Sequence, residues 1–173
     1  MPMEGVQKLA DFMQRFQKKY SRDSAMLSQP STITSLFSEF VRANPNQTVK
    51  SIRGYTESGE PIIDTLSYTD IDQKANQFAH DLLGIGIEKG DRVAVMLPSS
   101  VREELVADLG IWKAGGVRVP FKNQWGSAEI EKYLKATRPK AIVIHEAYYD
   151  QSLAQLISEF EDLSIYIVHE GES

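Results

Sequence analysis

The sequence predicts an α/β fold in which a largely parallel sheet carries crossover helices on both faces, preceded by a β-hairpin and an N-terminal amphipathic helix. Between residues 69 and 168, helical apolar patterns alternate with short apolar runs that suit buried strands. Glycine or proline marks most of the boundaries between them. Because parallel strands need a long crossover connection, this alternation places helices over the faces of one sheet.

The first predicted element is an amphipathic helix over residues 6–20. Its apolar residues recur every three or four positions, namely Val6, Leu9, Ala10, Met13, Phe16 and Tyr20. The opposite face carries both Asp11 and Lys18 instead of a cationic stripe. We therefore interpret the helix as a strap on the main body or on a sister chain, not as a membrane anchor. Residues 21–30 indicate a linker, so the predicted regions are 1–30, helix and linker, and 31–173, an α/β domain.

A second helix and a hairpin precede the main alternation. The helix begins near Thr34 or Ser35 and ends where Asn44 and Pro45 prevent its continuation. Its predicted core residues are Leu36, Phe37, Phe40 and Val41. Two β-rich runs, 48–55 and 61–68, flank the glycine-containing stretch 56–60 and predict the hairpin.

The next helix begins after Tyr68, where Thr69 and Asp72 have the spacing of a capping box. Its predicted core stripe consists of Ile71, Ala75, Phe78, Ala79, Leu82 and Leu83. Gly84 is expected to end the helix as the left-handed C-cap residue, while Gly86 and Gly90 let the chain reverse before the next strand.

The remaining chain predicts four strands separated by three helices. The strands are 92–97, closed by Pro98, then 117–121, 141–144 and 164–168. The first of these helices is capped by residues 100–103, presents Val101, Leu105, Leu109 and Trp112, and stops at Gly115 and Gly116. After a polar turn at 123–127, the second runs through Ile130, Tyr133 and Leu134 and ends before Pro139, and the third runs through Leu153, Leu156, Ile157 and Phe160.

Composition excludes several classes of function. The chain has 173 residues, no cysteine and a formal net charge of -5 at pH 7. Without cysteine there are no disulfides, thiolate nucleophiles or cysteine metal sites. The scattered basic residues argue against nucleic-acid binding, which needs clustered Lys and Arg. No apolar stretch reaches the ~20 residues of a membrane span, and the first residues lack the pattern of a secretion signal. We therefore expect a cytoplasmic protein without a transmembrane segment.

The stretch DLLGIGIEKGDRVAVMLP, residues 81–98, holds three glycines that resemble a nucleotide loop only superficially. Their spacing, Gly84-x-Gly86-x-x-x-Gly90, is one residue longer than the dinucleotide fingerprint. The order is also reversed, because these glycines leave a helix and enter a strand, whereas phosphates meet the N-terminus of a helix. The pattern predicts a helix-to-strand corner. A Walker loop and a G-x-S-x-G elbow are both absent from the sequence.

The titratable residues give weak signals for a site. The three histidines are far apart and form no ligand pair. We expect His80 to be a boundary residue on its helix. His145 and His169 follow strands, where sites cluster in parallel sheets, yet a structural role is favoured for both. Asp108 lies close to the core stripe of its helix. It is either wet, which we favour, or faces a partner surface.

Four blocks in register carry a family resemblance. They are LSYTDID at 66–72, ANQFA at 75–79, GIEKGDRVAVMLP at 86–98 and GIWKAGGVRVP at 110–120. Together they resemble the amino-terminal part of the adenylate-forming, AMP-binding enzymes, among them acyl-CoA synthetases and fatty acyl-AMP ligases. The similarity covers about residues 33 to 168. It implies that 31–173 forms an incomplete N-terminal subdomain of that fold.

The resemblance also implies an activity whose active segments are missing from this chain. Such enzymes condense a carboxylic acid with ATP, using Mg, and pass the acyl group to CoA or a carrier protein. Their Ser/Thr/Gly-rich phosphate loop, Thr-Glu segment, ribose Asp and C-terminal Lys lie downstream. The stretches 56–60 and 171–173 carry acids where the phosphate loop needs amides and a lysine. We therefore predict no catalytic, cofactor-binding or metal-binding residue here, and an inactive chain.

Two departures from the family pattern accompany these blocks. FKNQW at 121–125 replaces the usual Leu-Asn/Asp-Pro, and Asp108 stands where an apolar residue is usual. The leading hypothesis is the N-terminal portion of an acyl-activating ligase, whose partner is the remainder of the ligase, in the same or a separate chain, or another copy. The alternative is a freestanding, non-catalytic binding or scaffold protein. An unrelated nucleotide-binding α/β domain is the weakest hypothesis. The longer hairpin, 54–61, hints at long-chain or fatty acyl-AMP ligases.

Overall fold

The computed structural model describes residues 32–98 and 102–169. The predicted helix at 6–20, the linker at 21–30, the cap at 100–101 and the stretch 171–173 lie outside the described residues. The chain divides between Leu36 and Phe37 into two units, so the first turn of the first described helix belongs to one unit and the rest of the fold to the other. None of the described helices is both long enough and apolar enough to cross a membrane.

The described elements follow the predicted order closely. In chain order they are α1 (Ile33–Ala43), β1 (Thr48–Tyr55), β2 (Pro61–Ser67), α2 (Tyr68–Gly84), β3 (Arg92–Met96), α3 (Arg102–Lys113), β4 (Val117–Pro120), α4 (Ser127–Thr137), β5 (Ala141–His145), a short 3-10 turn (Glu146–Tyr148), α5 (Gln151–Ser158) and β6 (Ser164–Val168). Their bounds differ from the prediction by a few residues at most. Phe121, predicted as the last residue of a strand, lies buried just after β4.

Four strands form one parallel sheet in the order β4-β3-β5-β6. Val93 is paired with Arg118 of β4 and with Ala141 of β5, and Ile142 of β5 is paired with Ile165 of β6. β3 and β5 are almost entirely buried, since they are covered on both faces. The predicted parallel sheet is therefore confirmed.

Helices cover both faces of this sheet. One apolar core lies under α2 and α3 and includes Leu82, Ile111, Val93 and Val143. The other lies under α4 and α5 and includes Leu134, Ile157, Ala94 and Ile142. Alternate residues of β3 and β5 point to alternate cores, as the pleat requires. The predicted α/β class with helices on both faces is confirmed.

The hairpin forms a separate two-stranded antiparallel sheet. Its register runs from Thr48 opposite Ser67 to Tyr55 opposite Pro61, with an irregularity between Ile52 and Gly54. Val49 and Leu66 pack against a third apolar cluster formed by Ile71, Ala75 and Leu109 of α2 and α3. The hairpin thus rests on the two helices, and this prediction is confirmed.

The N-terminus of α2 corrects the predicted cap. Ser67, not Thr69, is the N-cap residue, and Asp70 completes the capping box. The Ser67 hydroxyl accepts a bond from Asp70 N at 3.0 Å, and Ser67 N donates to Asp70 Oδ2 at 3.2 Å. Thr69 instead donates its hydroxyl to the carbonyl of Pro45, 3.0 Å away. The Ser67 hydrogen bonds hold the pKa of Asp70 below its ordinary value.

The C-terminus of α2 carries two further corrections. Gly84 is the last helical residue, and the left-handed residue is Gly86, with φ of +87°. Gly86 N bonds to Leu83 O and Ile87 N to Leu82 O, which is the Schellman arrangement. Leu83, predicted in the core stripe, is 50% exposed because the stripe at this end runs through Leu82. Leu36 of α1 is likewise exposed, against the prediction.

The predicted stop at Gly115 and Gly116 is confirmed. Gly115 has φ of +81°, a conformation that suits glycine. A Cβ on Gly116 would lie 3.1 Å from Ile111 Cγ2, so there is little room for a side chain. The two residues end α3 with bonds from Gly115 N to Trp112 O and from Gly116 N to Ile111 O.

Candidate functional site

The strand order reverses at the carboxyl ends of β3 and β5. The chain passes from β3 outward to β4 and then crosses back, so β3 and β5 are neighbours with connections leading in opposite directions. In open α/β sheets, ligand sites lie outside the carboxyl ends of strands at such a reversal. Leu97 and Pro98 follow β3 here, and His145 ends β5.

A cleft of about 400 Å³ opens beside this edge, between α2, the first turns of α3 and the strands β5 and β6. Its walls are mainly apolar: Leu66, Phe78, Val106, Ala107, Val143, Tyr166, Ile167 and Val168. Phe78 meets Tyr166 edge to face, with ring centroids 5.4 Å apart. The cleft therefore suits an apolar group.

Three charged side chains stand at the rim of the cleft, namely Lys74, Arg102 and Glu103. Arg102 Nε lies 2.6 Å from Glu103 Oε1. Burial, together with the nearby Asp81 charge, raises the pKa of the Tyr166 hydroxyl above its ordinary value. No serine or histidine is present among the lining residues, so the described cleft offers no Ser–His pair.

His145 is buried, and its role is to cap a turn. Its Nδ1 accepts a bond from Ala147 N at 3.2 Å, which caps the 3-10 turn after β5. Its ring also lies against Tyr148, with centroids 5.8 Å apart. These contacts agree with the structural role that the sequence favours.

The other histidines are exposed. His169 Nδ1 lies 2.7 Å from Glu146 Oε2, and His80 is on the solvent side of α2. Although His145 and His169 lie at the ends of paired strands, they do not form a ligand set. Among residues 32–98 and 102–169, no three His, Asp or Glu side chains could hold a metal ion.

The structure contradicts the favoured expectation that the Asp108 side chain is exposed to solvent. Its carboxylate is half-buried between α3 and β4, with Oδ1 2.5 Å from Arg118 Nε in close ionic contact. Arg118 Nη2 also donates to Glu104 Oε1 at 2.6 Å. Burial raises the pKa of Asp108 above its ordinary value despite the opposing charge of Arg118. The sequence could not indicate this pair, because Arg118 lies on another element.

A second polar cluster joins α2 to α3, and the sequence analysis did not predict it. Lys113 Nζ donates to Asp72 Oδ1 at 2.7 Å and to Asn76 Oδ1 at 2.6 Å. Asp72 and Asn76 are four residues apart and so share one face of α2. In the sequence, this four-residue spacing is the one feature that indicates a polar contact on that face of α2. The cluster fixes the helix pair that roofs the cleft.

The unusual stretch after β4 forms an aromatic cluster. Phe121 is buried, and Trp125 stacks on Tyr133 with ring centroids 4.2 Å apart and planes at 9°. Asn123 donates to the Tyr148 hydroxyl at 2.8 Å, which ties the loop to the turn after β5. The residues at 121–125 that depart from the family pattern thus pack this loop on α4.

The two glycine-containing candidates for phosphate binding are structural turns. Gly86 and Gly90 both have positive φ in the corner between α2 and β3, as predicted. In that corner Asp91 pairs with Lys140 Nζ at 2.7 Å and accepts from Glu88 N, contacts that lower the pKa of Asp91. The stretch 56–60 is the hairpin turn, closed by Thr56 N to Glu60 O at 2.8 Å.

Comparison with known proteins gives one family. The model of the AMP-binding enzyme family matches residues 38–172. A curated relative, the medium/long-chain-fatty-acid--CoA/3-oxocholest-4-en-26-oate--CoA ligase of Mycolicibacterium smegmatis, is 33% identical over 109 residues, covering 62% of this chain and 19% of the ligase. This chain therefore spans about a fifth of the length of that relative.

Solved structures show the same fold. A protein described as a long-chain-fatty-acid CoA ligase from Rhodopseudomonas palustris superimposes with a TM-score of 0.67 at 20% identity, over 83% of this chain and 34% of that one. A benzoate CoA ligase from Burkholderia xenovorans gives 0.59 at 22% identity, over 76% and 25%. Since the family model matches well over half of the chain, the chain belongs to the AMP-binding enzyme family.

Proposed function

We propose that this chain is the N-terminal portion of an acyl-activating ligase, which joins a carboxylic acid to ATP to form an acyl-adenylate and pyrophosphate. The observation that carries the proposal is the family match over residues 38–172 in a chain that spans about a fifth of a curated ligase. The complete enzyme would then pass the acyl group to CoA or a carrier protein.

The role of the described residues in that enzyme is to build one sheet and its covering helices. In the described part of the chain, the glycine corner and the hairpin turn are structural turns, and no group of three His, Asp or Glu side chains could hold a metal ion. The proposal assigns ATP, Mg and every catalytic residue to the remainder of the ligase, in the same or a separate chain.

The proposal names the substrate only as a carboxylic acid and the compartment only as the cytoplasm. The M. smegmatis relative is named for fatty and steroid acids and the B. xenovorans neighbour for benzoate, so the proposal extends only to a carboxylic acid. The chain has no cysteine, which agrees with action in the cytoplasm.

The test of inactivity is carboxylate-dependent ATP-pyrophosphate exchange by the purified 173-residue chain. Intact M. smegmatis ligase with a fatty acid is the positive control. We expect exchange from the control and none from the chain with fatty acids or benzoate. Robust exchange by the chain alone would overturn the assignment of all catalytic residues to the remainder.

A hybrid ligase separates the proposal from the freestanding scaffold alternative. The hybrid is the M. smegmatis ligase in which residues 38–169 of this chain replace the ligase segment that occupies the same place in the fold. A portion of a ligase supports exchange in the hybrid. A scaffold protein that has diverged from the ligase fold leaves a folded hybrid inactive.

A further inference from the structure

His145 caps the turn after β5 with a ring nitrogen that can also take up a proton. It is the last residue of β5 and the N-cap of the 3-10 turn Glu146–Tyr148. Ala147 N donates to its Nδ1 at 3.2 Å. The usual N-cap residues are Ser, Thr, Asp and Asn, whose side-chain oxygens accept at neutral and mildly acidic pH alike. A histidine cap differs from these, because its acceptor is lost when the ring is protonated.

The bond from Ala147 determines the state of the His145 ring. A neutral imidazole has one donor and one acceptor nitrogen, so an accepting Nδ1 requires that Nε2 carry the hydrogen. In the imidazolium both ring nitrogens are donors. Protonation would therefore set the N–H of Ala147 against the new N–H at Nδ1. The capping bond and the charged ring exclude one another.

The surroundings of His145 contain no partner for a charged ring. The residue is 8% exposed, and its ring lies against the Tyr148 ring. The charged and titratable groups around this edge of the sheet are Glu146, Tyr148 and Asp150 after β5, His169 after β6, Arg102 and Glu103 of α3, and Lys122 after β4. Glu146 pairs with His169, Glu103 pairs with Arg102, and Asp150 caps α5. In the described part of the chain, none of these carboxylates forms an ion pair with His145.

The capped turn is tied to the loop after β4. Asn123 Nδ2 donates to the Tyr148 hydroxyl at 2.8 Å, and Trp125 of the same loop stacks on Tyr133 of α4. The turn and the loop both follow the carboxyl ends of parallel strands, the edge at which open α/β sheets bind ligands. Loss of the cap would therefore loosen the contact between two segments of that edge.

We propose that His145 is a proton-sensitive cap: as the pH falls from 8 to 5 the ring takes up a proton, the bond from Ala147 N is lost, and the turn Glu146–Tyr148 loosens together with its contact to Asn123. The sign follows from the geometry, since only the neutral ring can accept the bond. The carboxyl edge of the sheet is thus ordered at neutral pH and loosened by mild acid. The device lies wholly within the described residues and is independent of the proposed function.

Nitrogen-15 NMR of the 173-residue chain follows the ring and its donor together. At pH 8 we expect His145 in the Nε2–H tautomer. Between pH 8 and pH 5 the Ala147 amide is expected to shift with the same midpoint as the His145 ring. Its protection from hydrogen exchange, relative to the unstructured rate at each pH, should fall on the order of 10-fold, as the loss of one hydrogen bond implies. An Nδ1–H tautomer at pH 8, or an Ala147 amide that is unchanged down to pH 5, would overturn the proposal.

Two variants at position 145 separate the acceptor from the ring. In His145→Asn the side-chain oxygen stands where His145 has Nδ1, so the variant keeps a good N-cap that does not titrate. We expect its Ala147 amide to stay protected at both pH 8 and pH 5. In His145→Gln the oxygen lies one bond further from the backbone, and we expect the protection to be reduced at both pH values. A pH response of the Ala147 amide that survives in His145→Asn would contradict the proposal.

His169→Asn is the matched control. Histidine side chains titrate in the same pH range, and His169 follows Val168, the residue paired with His145. Protonation of His169 strengthens its pair with Glu146, which is the opposite response to acid. We therefore expect His169→Asn to keep the pH response of the Ala147 amide. Loss of that response while His145 is intact would assign it to the Glu146 pair and overturn the proposal. The wild-type titration and this control decide the matter if the variants at 145 do not fold.

Discussion

At the scale of single residues, the half-buried carboxylate of Asp108 is the least expected feature of the domain. It lies against Arg118, which also binds Glu104, so one guanidinium serves two carboxylates of α3. Burial disfavours the charged form of Asp108 more than Arg118 favours it, and the pKa is raised as a result. The ion pair fixes β4 to α3 at the cost of desolvating a charge.

The raised pKa of Asp108 predicts the pH dependence of an Asp108→Asn variant. A raised pKa means that the folded state favours the protonated carboxyl, so this contribution to stability is present below the unfolded value of about 3.9 and is lost as pH rises through the folded pKa. Asn resembles the neutral form. We expect Asp108→Asn to be at least as stable as wild type at pH 7, with the difference closing on acidification.

Urea unfolding between pH 3 and pH 8 measures this effect, with Asp91→Asn as the control. The pKa of Asp91 is lowered, first by Lys140, so its contribution is present at pH 7 and is lost on acidification. The control is therefore expected to be less stable than wild type at pH 7, the opposite sign. A clear loss of stability in Asp108→Asn at pH 7 would contradict the account.

The capping box gives a second prediction at this scale. Ser67→Ala removes the acceptor for Asp70 N and is expected to cost about 1 kcal/mol of unfolding free energy. Ser67→Asn keeps a good N-cap and should restore most of it. Thermal or urea unfolding of the two variants measures the difference. Equal stabilities would show that Ser67 does not cap α2.

At the scale of elements, the close packing of α2 on α3 depends on Gly110. A Cβ at this position would lie 2.6 Å from Phe78 Cδ1 and 3.1 Å from Ala75 O, so the helices touch where Gly110 has no side chain. Lys113 joins the same two helices through Asp72 and Asn76. These contacts hold the roof of the cleft in place.

A pair of alanine substitutions tests this packing. Gly110→Ala is expected to cost about 1–3 kcal/mol, as overpacking does. The control is Gly84→Ala at the end of α2, where a Cβ meets nothing within 4 Å. That change should be neutral or stabilise the fold by up to about 1 kcal/mol. Urea unfolding measures both variants, and similar values for the two would remove the special role of Gly110.

The elements were largely predictable because their signals are local. Apolar runs gave the strands, and Gly115 and Gly116 gave the end of α3. The cap of α2 was misplaced because Ser67-x-x-Asp70 and Thr69-x-x-Asp72 overlap with the same spacing. The structure separates them: the Ser67 hydroxyl accepts from Asp70 N, whereas Thr69 donates its hydroxyl to the Pro45 carbonyl, 24 residues away. In the same way, the sequence does not show which of Gly84 and Gly86 is the left-handed residue after α2, because that depends on where the helix ends.

At the scale of the whole molecule, the site could not be predicted because it depends on contacts between residues that are far apart in the sequence. The cleft joins residues from β2 to β6, and Arg118, the partner of Asp108 of α3, lies on β4. Family membership, by contrast, was predictable, since it depends on four blocks in sequence order, and the family match over residues 38–172 confirms it.

The most direct measurement is carboxylate-dependent ATP-pyrophosphate exchange by the hybrid M. smegmatis ligase carrying residues 38–169 of this chain. If the chain is the N-terminal portion of an acyl-activating ligase, the folded hybrid exchanges pyrophosphate with a fatty acid, while the 173-residue chain alone does not. A folded hybrid without exchange, or exchange by the chain alone, would contradict the account.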